Sequence, residues 1–256
     1  MKIVISNDDS VHAEGLKKLA DIAKKYGEVT VVAPDRPRSG QSHAVTFTEP
    51  LRLFKESNGF YQCSGTPADC IKIAIQKVLG NEKPDFVLSG INHGSNASTN
   101  IIYSGTMAAA IEGALTGIPS IGFSITDNSF QVDFSNGDGL KHVENILKMA
   151  ITHREELIKA NNGTPFCWNV NFPNIKNIKG IKIVRQSYNE VWKDIVVERE
   201  DFFGVPYYWI AGELHNNDDD KETDLNALAD DYTTIVPVRI DLTAHEQIGL
   251  LKKIFY

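Results

Sequence analysis

Asp8 and Asp9 stand side by side after a short β-branched run, Lys2 to Ser6. Two adjacent acids exceed what a helix cap needs, because one cap suffices and their charges repel. A divalent cation between them removes the repulsion. Carboxylate, amide and hydroxyl oxygens are hard ligands, suited to Mg²⁺, Mn²⁺ or Ca²⁺ rather than zinc. Ser39 and Asn92 offer further oxygens of that kind. The plainer alternative is that one acid caps a helix beginning near Val11. With Ser39 and Asn92 converging on the same place, the metal reading ranks above it. A second segment, Ser104-Gly105-Thr106, joins two hydroxyls to the free N–H groups of a helix start, where the positive helix end favours an anion. Plain N-capping explains those residues equally well. A hard cation beside an anion cradle points to phosphoryl chemistry. Neither GxGxxG nor GxxxxGK[ST] occurs, and Asn7-Asp8-Asp9-Ser10 does not spell the DxDGT of an aspartyl-phosphate nucleophile.

These residues need a scaffold. The first half alternates strand-like and helix-like segments. Lys2 to Ser6 reads as a strand, Val11 to Tyr26 as a helix with Leu16, Leu19, Ala20 and Ala23 on one face, and Glu28 to Ala33 as a buried strand. Ala44 to Leu53 and Phe60 to Cys63 read as shorter strands. Thr66-Pro67-Ala68-Asp69 opens a helix to about Leu79, with Thr as N-cap, Pro at N1 and an acid at N3. Phe86 to Ser89 and Ser120 to Ser124 follow as strands around a helix from Ser104 or Gly105 to Ala114. Gly139 to about Ile158 reads as one long helix. Such alternation implies right-handed βαβ units, a parallel sheet and helices on both faces. Ligands then bind beyond the carboxyl ends of the strands. The segments after the first three strands, Asn7 to Ser10, Pro34 to Ser42 and Ser89 to Asn96, should gather there with Tyr103 to Thr106.

The second half is less regular. Phe166 to Val170, Ile181 to Val184, Tyr207 to Ile210 and Thr234 to Ile240 read as strands, and Ala244 to Ile254 as a closing helix. Asn216 to Asp224 is the expected exposed loop, and Asp218-Asp219-Asp220 within it reads as a solvated face. No linker or internal repeat is visible.

The 256 residues carry 26 Lys and Arg against 33 Asp and Glu, a net charge of −7, which excludes a basic nucleic-acid coat. Hydrophobic residues at 42% and charged residues at 23% exclude a disordered or collagenous chain. Cys63, Cys70 and Cys167 are odd in number, widely spaced and lack a CxxC, so a disulfide framework or zinc site is not expected and a reducing cytosol is. The N-terminal apolar run ends in two acids and is no secretory signal. Ile101 to Ile125, the least polar stretch, contains Glu112 and Pro119 and reads as a buried helix and strand, not a membrane span.

Several blocks in fixed order resemble the SurE survival-protein family. They are Ile5-Ser-Asn-Asp-Asp9, Val32-Ala-Pro-Asp-Arg36 with Arg38-Ser39, Gly65-Thr-Pro-Ala-Asp-Cys70, Leu88-Ser-Gly-Ile-Asn92 with Gly94 and Asn96, and Ser104-Gly-Thr106. Tyr207-Tyr-Trp-Ile with Gly212-Glu213, and Thr223-Asp-x-x-Ala227 before Tyr232 and Pro237, extend the resemblance over nearly the whole chain. It implies an α/β fold, a Rossmann-like three-layer sandwich with a mostly parallel sheet. The core would span about 1–185 and a C-terminal extension, about 186–256, would exchange between subunits of a homodimer or homotetramer. The implied activity is a cytoplasmic, metal-dependent phosphatase acting on nucleoside 5′- and 3′-monophosphates. One divalent ion, Mg²⁺ or Mn²⁺, would be held by Asp8, Asp9, Ser39 and Asn92, with Asp8 catalytic. Asn96, Ser104, Gly105 and Thr106 would lie beside the phosphate.

Two positions depart from the family pattern. Ser10 replaces the usual glycine, and a position requiring positive φ strains serine. Tyr103 stands where the family often has His, which removes that proton donor. Two other functions use the same rim: a non-catalytic nucleotide-binding or sensor protein, and a transferase or different hydrolase in which metal and phosphate serve binding alone.

Overall fold

A computed structural model of the chain describes residues 1–126, 138–174, 176–188 and 191–256. Nine strands form one mixed, mostly parallel sheet, and two more form a separate hairpin. The sheet order is β3 (Leu53–Lys55), β4 (Tyr61–Cys63), β2 (Glu28–Pro34), β1 (Lys2–Ser6), β5 (Phe86–His93), β6 (Ser120–Thr126), β7 (Cys167–Pro173), β11 (Tyr232–Val238) and β8 (Gly180–Ile183). Parallel pairing runs unbroken from β4 through β2, β1, β5 and β6 to β7. Antiparallel pairing enters at β3–β4 and β7–β11.

Alternation along β1 divides the core into two layers. Ile3 and Ile5 pack with Leu16, Leu19, Ala20 and Ala23 of α1 (Glu14–Ala23) and with Val143, Ile146 and Leu147 of α4 (Gly139–Thr152). Val4, between them, points to the other face and packs with Cys70 and Ile71 of α2 (Pro67–Ile73) and Ala109 of α3 (Gly105–Leu115). Residues i and i+2 share a face of a strand, so one apolar strand serves both helical layers. The α/β sandwich expected from the sequence is therefore present. The three cysteines are free and buried.

Some boundaries differ for identifiable reasons. α1 begins at Glu14 rather than Val11, because residues 7–13 close a turn in which Asn7 Nδ2 and the Ala13 N–H both donate to the Ser10 carbonyl. Residues 44–52 form no strand. Thr46 is drawn to Asp69, whose carboxylate accepts its N–H and hydroxyl, and Pro50 has no N–H for a ladder. The long helix from Gly139 breaks at His153 into α4 and α5 (Arg154–Ala160). α2 begins as read, with Thr66 and Asp69 in a reciprocal capping box, but passes into a π-helical turn over Ala74–Val78.

The C-terminal third departs furthest. A strand absent from the sequence reading, β9 (Val191–Glu200), pairs with β10 (Pro206–His215) in the isolated hairpin. Tyr207, Tyr208, Trp209 and Ile210 are all exposed, which excludes an ordinary strand core at that position. The loop before α6 (Asp224–Ala229) is not uniformly solvated. Asp218 is buried, and Arg185 binds it at 3.0 Å. α7 (His245–Phe255) buries no residue. No helix among the described residues is long and apolar enough to cross a membrane.

Candidate phosphate and cation site

Asp8 lies just past the carboxyl end of β1 and is only 4% exposed. Its Oδ1 accepts the Thr106 hydroxyl at 2.5 Å. Gly105 rests directly on the same acid: a Cβ there would lie 2.8 Å from Asp8 Cβ and 3.0 Å from Oδ2. Only glycine lets the first turn of α3 approach so closely. From the next strand end, the Arg38 N–H donates to the Asp8 carbonyl at 2.7 Å. Asp9 is half-buried, and its Oδ2 accepts the His93 N–H at the end of β5 at 3.1 Å. The four strand-end segments therefore meet as the topology required.

Neither acid caps α1. Its N-cap is Ala13, which supplies no side-chain bond. The capping alternative is thereby removed for both. Ser10 adopts φ +98°, the conformation that strains serine, and the two donors on its carbonyl hold it there.

Burial pushes the Asp8 carboxyl up to about 6, with the neighbouring Asp9 charge acting in the same direction and the Thr106 hydrogen bond opposing both. Burial also raises Asp9, against the His93 N–H and ring. Asn92 follows a register shift in β5 and is buried. Its Nδ2 donates to Gly94 O at 2.8 Å, which leaves Oδ1 as the accepting end of the amide. Ser39 is exposed and follows Arg38, the residue tied to Asp8. Among the described residues, no group of three or more His, Cys, Asp or Glu is arranged to hold a metal ion. Two adjacent acids beside amide and hydroxyl oxygens fit a hard divalent ion.

At the cradle, Ser104 is the N-cap of α3, and its Oγ accepts the Met107 N–H at 3.0 Å. The N-capping reading is realised there, yet the hydroxyl keeps its own hydrogen to donate. Gly105 and Thr106 stand in the first turn, where N–H groups have no intrahelical acceptor. Asn96 is buried, and its Nδ2 donates to Ser124 Oγ at 2.8 Å. The Arg38 guanidinium turns to Ser64 O, and Arg36 is exposed.

The family model described as Survival protein SurE matches residues 3–193. The chain belongs to the SurE family. Among SurE relatives, one from Cytophaga hutchinsonii named 5′-nucleotidase SurE is 45% identical, over 98% of this chain and 95% of its own. Another of that name, from Christiangramia forsetii, is also 45% identical, over 96% of this chain and 94% of its own. The crystal structure of the SurE protein from Aquifex aeolicus matches with TM-score 0.82 at 37% identity, covering 99% of both chains.

Two residues of this SurE chain escaped the sequence reading. Asn171 Oδ1 accepts the Asn96 N–H at 2.8 Å, and Asn169 Nδ2 donates to the Asn96 carbonyl at 2.8 Å. Both lie on β7, and Asn171 Nδ2 donates to Asn169 Oδ1 at 3.0 Å. Paired amides two apart in a buried strand share one face, and that spacing was the available signal.

Proposed function

We propose that this chain is a metal-dependent phosphomonoesterase that hydrolyses nucleoside 5′-monophosphates, and 3′-monophosphates at the same site. The observation that carries the reading is the contact between Asp8 and the start of α3. It sets a cation-binding acid against an anion-binding helix terminus, as a phosphate shared between the two requires. The names of the relatives support the nucleotide as substrate.

In this reading Asp8, Asp9, Asn92 and Ser39 hold one Mg²⁺ or Mn²⁺. Bound there, such an ion would supply Lewis-acid polarisation of the phosphate and neutralise charge developing on it. The Gly105 N–H and the Ser104 hydroxyl would take the remaining phosphate oxygens, with Asn96 and Thr106 beside them, Thr106 being turned to Asp8 by its own hydroxyl. Asp8, which already orients Thr106 through Oδ1, would take a proton from the water that attacks phosphorus; the bond from phosphorus to the ribose oxygen breaks, and that oxygen leaves as the hydroxyl with the proton passed on from Asp8. The exposed face of the β9–β10 hairpin and the uncovered α7 support assembly as a homodimer or homotetramer through an exchanged extension, about 186–256.

The test is inorganic phosphate release from 5′- and 3′-nucleoside monophosphates with Mg²⁺, Mn²⁺ or EDTA, beside Asp8→Asn. Metal-dependent release that disappears in the variant supports the assignment. Binding of AMP without release under any metal replaces it with a nucleotide-binding function.

A further inference from the structure

We infer that Asp224 is a positioning residue for the phosphate cradle, holding from the C-terminal side the strained turn that leads into it. The inference rests on reading the start of α3 as that cradle.

Asp224 is completely buried. Its carboxylate accepts three backbone N–H groups: Ser98 on Oδ2 at 2.7 Å, and Ser187 and Leu225 on Oδ1 at 2.9 Å each. Two of these donors lie far away in sequence, one before the cradle and one at the root of the β9–β10 hairpin. Ser98 opens the short 3-10 helix Ser98–Ile102, and Tyr103 then leads directly to Ser104. Ser98 is itself fully buried and adopts φ +55°, which favours glycine. A non-glycine residue persists in that region only when its surroundings over-determine it. Here Asp224 takes its N–H, and its own Oγ donates to the Ser187 carbonyl at 3.0 Å. The direction in which the chain enters the cradle is therefore fixed by residues that never touch the phosphate. On the other side of Ser98, Asn171 and Asn169 hold Asn96. The segment is clamped at both ends, and Asp224 is the clamp that also reaches the hairpin.

Asp224→Asn separates the contacts. An asparagine keeps one acceptor oxygen, and it satisfies most donors when that oxygen faces Ser187 and Leu225. The amide NH₂ then faces the Ser98 N–H and repels it. Ser98→Gly added to that variant removes the need for a clamp, because glycine takes φ +55° without one.

The experiment compares wild type, Asp224→Asn and Asp224→Asn/Ser98→Gly as full chains. It reads hydrogen exchange over residues 96–107 and steady-state phosphate release. The inference expects faster exchange in the single variant, a drop of tenfold or more in kcat/KM and an unchanged metal titration. It also expects recovery of at least a third of the lost activity in the double variant. It is overturned by wild-type exchange in Asp224→Asn, or by faster exchange with full activity. A shifted metal titration, or a loss that Ser98→Gly does not relieve, shows general damage instead and overturns it too. If the wild type releases no phosphate, the phosphatase reading fails, and the exchange data alone decide whether Asp224 holds the turn.

Discussion

Asp8→Asn should make the metal-free protein more stable while abolishing its activity. In the folded chain the Asp8 carboxyl sits at about 6 against an ordinary 3.8, mainly because burial disfavours its charge. A group raised on folding contributes stability below its unfolded pKa and loses it as pH rises through the folded one. Above pH 7 the wild type therefore bears the full cost of the shift. About two pKa units correspond to about 3 kcal/mol. The asparagine carries no charge, and its Oδ1 still accepts the Thr106 hydroxyl. A chain of this length moves about 2–4 °C in Tm per kcal/mol, so the variant should melt roughly 6 °C or more above wild type in EDTA at pH 7.5. At pH 4.5 the wild-type acid is largely protonated in the folded state, and the gap should shrink to about a third. Saturating Mn²⁺ or Mg²⁺ should close it from the other side. A ligand at 100 times its Kd adds about 2.7 kcal/mol to wild type and little to a variant that has lost a ligand. Thermal scans at two pH values, with EDTA or metal, give all four corners. A variant no more stable than wild type at pH 7.5 in EDTA, or a gap independent of pH, would refute the reasoning.

Gly105→Ala should leave the fold intact by circular dichroism yet lower phosphate release at least tenfold, since its Cβ would press within 2.8 Å of Asp8. Ser39→Ala should shift the metal titration of activity to higher concentration with little change in Tm, because Ser39 is exposed; an unchanged titration removes it from the ligand set. Sedimentation at micromolar concentration should show a dimer or larger species. Trp209→Ser with Ile210→Ser, both exposed on the hairpin, should shift it toward monomer without loss of secondary structure.

What was legible in the sequence was local. The paired acids, the Thr66 N-cap and the Ser104 N-cap each announce themselves within four residues, and the structure realises both caps. The alternation of elements fixed which strand ends would meet. The supports of the site were not legible in the same way. Asn171 reaches Asn96, and Asp224 reaches Ser98, across more than seventy residues in each case, and no local pattern records that a buried carboxylate will find a particular N–H. Within the acidic loop, Asp219 and Asp220 are exposed as the solvated-face reading has them, and only Asp218 departs from it, for the same reason. The loop's composition is that of a solvated face, but Arg185 supplies a distant counter-charge that draws Asp218 inward. Residues 44–52 failed differently. Their apolar alternation is real, but Asp69 claims Thr46, and Phe47 is left exposed.

The placement of β11 bears on how the chain is made. It lies between β7 and β8 in the sheet, although β8 precedes it in sequence and the hairpin intervenes. A polypeptide emerging from its N-terminus completes β7 and then must extend from Pro173 to Tyr232 before that edge finds its partner. Throughout that interval the nascent protein presents a row of unpaired backbone groups beside its buried amides, a template for pairing with another chain. β8 can join the sheet only after β11 has arrived, so the last strand synthesised closes the sheet for both neighbours.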